Sequence, residues 1–241
     1  TSSSGLAVAF AVGSGPGSIS GGTNLTFTGA GAVAVVASQA GDADWNAAAS
    51  VTQTYVVAKA PQAALAFAPA SPQTFGTTNA LSASGGSGTG AVSYSIAAGL
   101  GEIVGTNGLH ALAGTGSVTV VATKAADDLH LATAATATVA YAKAAAQVFL
   151  LDLAQVYDGT ARTISATTLP AGLTVEFTYD GNATAPTNAG SYAATGTVND
   201  ADWQGSAAGT LAVARAQDAI VFGATNQTYD GMGKAVTAAA D

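Results

Sequence analysis

The stretch Thr174-Val-Glu-Phe-Thr-Tyr-Asp-Gly-Asn182 decides the fold. Val175, Phe177 and Tyr179 alternate with Thr174, Glu176 and Thr178, the period of two that turns one face of a strand to a core and the other to water. Asp180-Gly181-Asn182 then signals a tight turn, because these residues tolerate the positive φ that a short hairpin loop needs. Val8-Ala-Phe-Ala-Val12 and Val92-Ser-Tyr-Ser-Ile96 alternate in the same way. Val33 to Ala37 and Val118 to Ala122 are short and β-branched, which suits central strands. Alanine could draw Ala132 to Ala146 into a helix, but Thr and Val at alternate positions predict a strand.

Working outward, three marks divide the chain: VAKA at 57–60, YAKA at 141–144 and VARA at 213–216. They delimit repeats of 84 residues (61–144) and 72 residues (145–216), with partial pieces 1–60 and 217–241. Ala37 to Ala47 falls on Ala122 to Ala132 at a constant offset of 85, with Trp45 over His130, and the feature recurs as Asp200-Ala-Asp-Trp203. A second mark opens the repeats: Gln73-Thr-Phe-Gly76, Gln155-Val-Tyr-Asp-Gly159 and Gln227-Thr-Tyr-Asp-Gly231. Residues 217–241 possess this opening without a body, and residues 1–60 a body without an opening.

Short strands punctuated by turns every 8–12 residues or so, in repeats of this size, predict an all-β protein of tandem immunoglobulin-like β-sandwich domains arranged end to end. The predicted domains are 1–60, incomplete; 61–144; 145–216; and 217–241, the opening strands of a further domain that complete 1–60 of a neighbouring copy. Joined tail to head, the two pieces amount to 85 residues, close to the second repeat. Ile220, Phe222, Tyr229 and Val236 are the apolar residues expected to fill this inter-copy joint. The predicted partner is therefore the chain itself, either as separate subunits exchanging strands or as one continuous tandem polypeptide.

The third repeat resembles a known family. Gln155-Val-Tyr-Asp-Gly159, Leu169-Pro-Ala-Gly-Leu173, Ala185-Pro-Thr-Asn-Ala-Gly-Ser-Tyr192 and Val198-Asn-Asp-Ala-Asp-Trp203 are similar to the MBG-type, mostly-β immunoglobulin-like repeats of large bacterial cell-surface proteins. The other repeats resemble the related immunoglobulin-like domains that alternate with them. The resemblance implies an extracellular or cell-surface location and a stalk of the kind adhesins use, and it brings no catalytic residues with it. Asn188 to Tyr192 also resembles the corner of immunoglobulin folds in which a tyrosine hydroxyl ties back to nearby backbone.

Composition narrows the function. Charged residues are 8% of the chain, and 6 basic against 14 acidic side chains give a net charge of -8. Such a surface lacks the basic footprint that a nucleic-acid backbone requires. Mean hydropathy is +0.36, yet no apolar run is long enough for a spanning helix, so membrane insertion is not expected. Without cysteine, no disulfide or thiolate chemistry exists.

The candidate chemical groups read as structural. His110 and His130 are the only histidines, too few to hold a zinc ion between them. Gly13 to Gly17 and Gly85 to Gly90 lead into strands, whereas phosphate cradles open helices. No cofactor is expected; the paired carboxylates Asp42/Asp44, Asp127/Asp128 and Asp200/Asp202 could at most contribute to a calcium site, and otherwise form acidic surface turns. No acid–base pair, nucleophile motif or metal cluster points to an enzyme. The expected function is a structural fibre or surface stalk. The alternative is an adhesin segment that binds glycan or protein through one domain, for which exposed Trp45 or Trp203 would be the sign.

Overall fold

The computed structural model describes residues 2–223 and 226–240, and these form strands and turns with no helix among them. The expected Asp241-to-Thr1 junction lies outside the described residues. The chain divides into two compact units, residues 1–142 and 143–241.

In the first unit, Val92–Ala98, Ser117–Lys124 and Thr133–Ala142 form an antiparallel ladder. Gln73–Thr74 lies along the outer edge of Thr133–Ala142 in parallel. The second layer comprises Leu65–Phe67 paired with Ala83–Gly85, and Gly101–Val104, Gly108–Ala111 and Thr78–Ala80 as a three-stranded sheet. Between the layers lie Leu81, Leu109, Val118, Val120, Val139 and Tyr141. Alternation decides which side chains enter: Val118, Val120 and Ala122 of one strand are fully buried while Thr119 and Val121 between them are not.

The second unit repeats this plan. Ala154–Val156 runs parallel to Ser206–Ala214, which continues through Gly190–Val198 to Val175–Tyr179. Gln147–Leu151 pairs with Ser165–Leu169 in the facing layer. Ile164, Tyr179, Ala194, Leu211 and Val213 make the core. The turn after Tyr179 forms as expected, with Asp180 at φ 48° and Gly181 at φ 80°, both in the left-handed region that a two-residue hairpin loop demands. Tyr192 Oη donates to Asn188 O at 2.9 Å, the predicted corner. These are immunoglobulin-like sandwiches: two antiparallel layers, with an early strand crossing to run beside the last.

The opening glutamines acquire a physical role. Gln73 Nε2 donates to Leu109 O at 2.7 Å and Thr77 O at 2.8 Å, and Gln155 Nε2 to Thr163 O at 2.8 Å and Asp152 O at 2.9 Å. Each amide satisfies two backbone carbonyls where a short parallel strand begins.

The remaining strands do not complete a sandwich. Ala9–Ser14, Gly31–Gln39 and Ala48–Val57 form one antiparallel ladder, and Gly17–Ser20 pairs with Asn24–Phe27. Among the described residues, no strand pairs with the outer edge of Ala48–Val57. At the other end of the sequence, Ile220–Gly223 pairs with Thr237–Ala240 in a two-stranded sheet.

Leu211 is fully buried in the last strand of the second unit's sandwich. Leu211→Ala is expected to cost about 2–5 kcal/mol in urea unfolding of that unit; a loss under about 1 kcal/mol would contradict the core assignment.

Candidate self-docking site

The terminal hairpin copies the opening of the preceding sandwich. At a constant offset of 72, Ile220, Phe222, Tyr229 and Val236 stand where Val148, Leu150, Tyr157 and Ile164 stand. The strand register is also the same. Ile220↔Ala240, Val221↔Ala239, Phe222↔Ala238 and Gly223↔Thr237 reproduce Val148↔Thr168, Phe149↔Thr167, Leu150↔Ala166 and Leu151↔Ser165. The connecting turn agrees as well. Asp158 accepts from Thr160 N and pairs with Arg162, and Asp230 accepts from Met232 N and pairs with Lys234. The Thr160 hydroxyl, first among several donors, holds the Asp158 carboxyl below its usual range; for Asp230 the Lys234 ammonium is the leading cause.

Only the surroundings differ. Val148 and Ile164 are 9% and 4% exposed, whereas Ile220 and Val236 are 72% and 81% exposed. Phe222 and Tyr229 are exposed too. All four residues singled out from the sequence thus occupy positions of an immunoglobulin-like opening, without the facing layer that buries two of their counterparts.

The strand Ala48–Val57 has the complementary defect. Tyr55 precedes Lys59 by four residues, as Val139 precedes Lys143 and Leu211 precedes Arg215. Val139 and Leu211 are 0% exposed, but Tyr55 is 44% exposed and touches Phe27, ring centroids 6.1 Å apart. An open cavity of about 320 Å³ lies beside it, lined by Phe10, Ile19, Leu25, Val35, Val51 and Tyr55 among others. This apolar trough lies where the opening pair of a complete sandwich would pack.

The acidic turns are capped structures. In each, the first aspartate accepts two backbone N–H groups: Asp42 Oδ1 from Asp44 and Trp45 at 2.9 Å each, Asp127 Oδ1 from Leu129 at 3.0 Å and His130 at 2.7 Å, Asp200 Oδ1 from Asp202 at 2.8 Å and Trp203 at 3.0 Å. A carboxylate two or three residues before an amide is the favoured side-chain cap for a tight turn. Asp127 also accepts from Thr89 N at 2.6 Å. Gly88 permits that approach, since a Cβ there would lie 2.5 Å from Asp127 Oδ2. The Gly85 to Gly90 run therefore presents an amide to an internal carboxylate. His130 Nδ1 sits 3.1 Å from Asp127 Oδ1, and His110 Nδ1 2.9 Å from Thr78 Oγ1, so the two histidines occupy separate sites. No cluster of three or more His, Cys, Asp or Glu side chains suited to a metal occurs among the described residues.

The sequence places Lys59 and Lys143 at domain ends but does not announce what they meet. Lys59 Nζ donates to Asp127 O at 2.6 Å, and Lys143 Nζ to Asp200 O at 2.5 Å. Each mark thus fastens to the acidic turn that follows it. The shared Lys-Ala and Asp-x-x-Trp/His pattern was the available signal.

Comparison with known proteins places one part of the chain. Residues 146–217 match the family model of the MBG domain. No curated protein sequence matches the chain. Among solved structures, it is similar to Sidekick-1 immunoglobulin domains 1–5 at 12% identity and a TM-score of 0.32, covering 87% of this chain and 52% of that one. The chain thus spans about half the length of that structure.

The Asp127 carboxyl is held well below the ordinary carboxylate value of 3.8, first by the Thr89 amide and then by those of Leu129 and His130. A depressed folded-state value stabilises the fold above the unfolded value and is lost as pH falls through the folded one. Asp127→Asn should therefore lower the melting temperature of residues 1–142 at pH 7, with the gap from wild type closing as pH drops below 3.8. A gap that persists unchanged at pH 2 would refute the assignment.

Proposed function

We propose that this chain is a non-catalytic building block of an extracellular fibre or surface stalk, in which the terminal hairpin of one copy completes the open sandwich of the next. The observation that carries this reading is the matched pair of defects: a hairpin with the register of an opening pair and no facing layer, and a closing strand opposite which Gly17–Ser20 and Asn24–Phe27 stand without an opening pair beside them. Ile220, Phe222 and Val236 would enter the trough beside Tyr55, as Val148, Leu150 and Ile164 pack in the second unit. Gln227 would begin the short parallel strand along Val57, as Gln73 does along Tyr141 and Gln155 along Val213. Each buried large side chain contributes about 1.5–3 kcal/mol, and pairing the outer edge of Ala48–Val57 removes an exposed sheet edge.

The MBG match and the immunoglobulin-like repeats support a surface or secreted setting, since repeats of this kind belong to surface and adhesion proteins. A single exposed tryptophan, Trp45 at 53%, gives the adhesin reading its one supporting observation. Its counterparts argue for a junction instead: His130 and Trp203 are half-buried, each beside the strand that links two domains. The joint is the same whether copies are separate subunits or one continuous polypeptide.

Sedimentation of the purified chain over a range of concentrations tests the joint. Head-to-tail oligomers are expected, and Phe222→Asp should leave a monomer of 23.0 kDa with the second unit's stability unchanged. Electron microscopy of the wild type should show unbranched filaments. A wild-type chain that stays monomeric, with the outward-facing amides of Val51 to Val57, those not bonded to Gly31–Gln39, exchanging freely even when a peptide of residues 217–241 is added in excess, would sink the proposal.

A further inference from the structure

The interdomain straps carry a second, polar half of this joint. At residues 59–60, Lys59 Nζ reaches Asp127 O, Ala60 N donates to Leu129 O at 2.8 Å, and Leu131 N returns a bond to Ala60 O at 2.9 Å. At residues 143–144, Lys143 Nζ reaches Asp200 O, and Ala144 N donates to Asp202 O at 2.9 Å. In both cases the alanine lies parallel to the residue at the tryptophan position, Ala60 opposite His130 and Ala144 opposite Trp203. One aspartate side chain makes each site. By capping two amides it folds the turn so that its own carbonyl faces the cation of the strap.

The chain contains a third turn, in the first unit, and a third strap, in the second. Asp42 to Trp45 has the same cap geometry, and its residues are exposed. Arg215-Ala216 has the same place in the division mark, and both residues are exposed.

We propose that Arg215 and Ala216 of one copy strap onto the Asp42–Trp45 turn of the next copy: the guanidinium donates to Asp42 O, Ala216 N donates to Asp44 O, and Asn46 N donates to Ala216 O. The strap rests on the proposed head-to-tail joint and adds what fixes its register and orientation. Hydrophobic filling of the trough is non-directional, whereas a cation on one carbonyl and a parallel backbone bridge define a single seating. Chemistry favours the cation at this place. The carbonyl carries partial negative charge, and the Asp42 and Asp44 carboxylates stand close by in sequence. An arginine presents five N–H donors and a lysine three, so either satisfies the site. The same strap covers Trp45, which accounts for its exposure in a lone copy.

The test uses the full chain at a concentration where it sediments as a monomer, titrated with a labelled peptide of residues 213–241. Three peptides are compared: wild type, Arg215→Lys and Arg215→Ala. Anisotropy reads affinity, and amide exchange reads the turn. The wild-type peptide should bind and slow exchange over residues 44–47; Arg215→Lys should bind comparably, and Arg215→Ala roughly tenfold more weakly, the scale of one charge-assisted hydrogen bond. If the Arg215→Ala peptide binds as tightly as wild type and the turn amides exchange as in the free chain, the strap is wrong while the hydrophobic joint stands. If no peptide binds, the strap falls together with the joint.

Discussion

A β-sandwich has no stable half. Each layer presents one apolar face, and that face must lie against the other layer, because a single twisted sheet in water leaves its inward side chains wet and its edges unpaired. The second and third repeats obey this constraint within themselves: Val139 and Leu211, at matching places in their closing strands, see no solvent. In the proposed joint, the first set of strands and the terminal hairpin would each supply what the other lacks. Matching registers in Ile220–Gly223 and Gln147–Leu151 mean that the hairpin needs no reshaping to serve. In the proposed joint, the trough beside Tyr55 would be the surface it packs on.

A chain without cysteine and with 8% charged residues has few strong ties at its disposal. Those it uses are hydrogen bonds that fix backbone. The opening glutamines hold backbone carbonyls through their amides, the first aspartate of each acidic turn holds two N–H groups, and the lysines of the division marks reach carbonyls. Every one satisfies main-chain groups that would otherwise weaken a turn or a strand start. This explains why so few ionisable residues recur at such regular places. They locate the joints between sheets and between domains, where apolar packing alone would permit several seatings.

Much of this was legible in the sequence, and for identifiable reasons. Alternation in Thr174 to Tyr179 and the Asp-Gly turn after it read directly, since both depend on local geometry. The tyrosine corner read from Asn188 to Tyr192 because its partner lies four residues away. The recurring Asp and Trp positions were visible as a pattern, but reading them as surface turns missed their capping, which depends on how the backbone curls back on the carboxylate. The lysines of the marks were harder. Lys59 meets a carbonyl 68 residues later and Lys143 one 57 residues later, so neither spacing nor periodicity announces the contact. The boundary after Ala144 shifts for the same reason: in sequence Lys143 and Ala144 end a strand-like run, whereas in space Ala144 pairs with Gln204's neighbour Trp203 and belongs to the sandwich that follows.

That shift bears on how a linear array of such domains would hold its direction. If the linking residues were loose, successive sandwiches would pivot about them, and a fibre built of them would behave as a string of beads. Here the linker is the first strand-like element of the next domain, pinned by a backbone bridge and a cation. In the first unit, Ala60 is bonded on both its N–H and its C=O to the turn around His130, so rotation about the linker would break both bonds along with the Lys59 contact. In the first unit, Lys59 and Ala60 therefore both mark where one set of strands ends and limit how the next can turn. In the proposed joint, a seating without this strap would be free to pivot, and Arg215 in the place of Lys59 and Lys143 would remove that freedom.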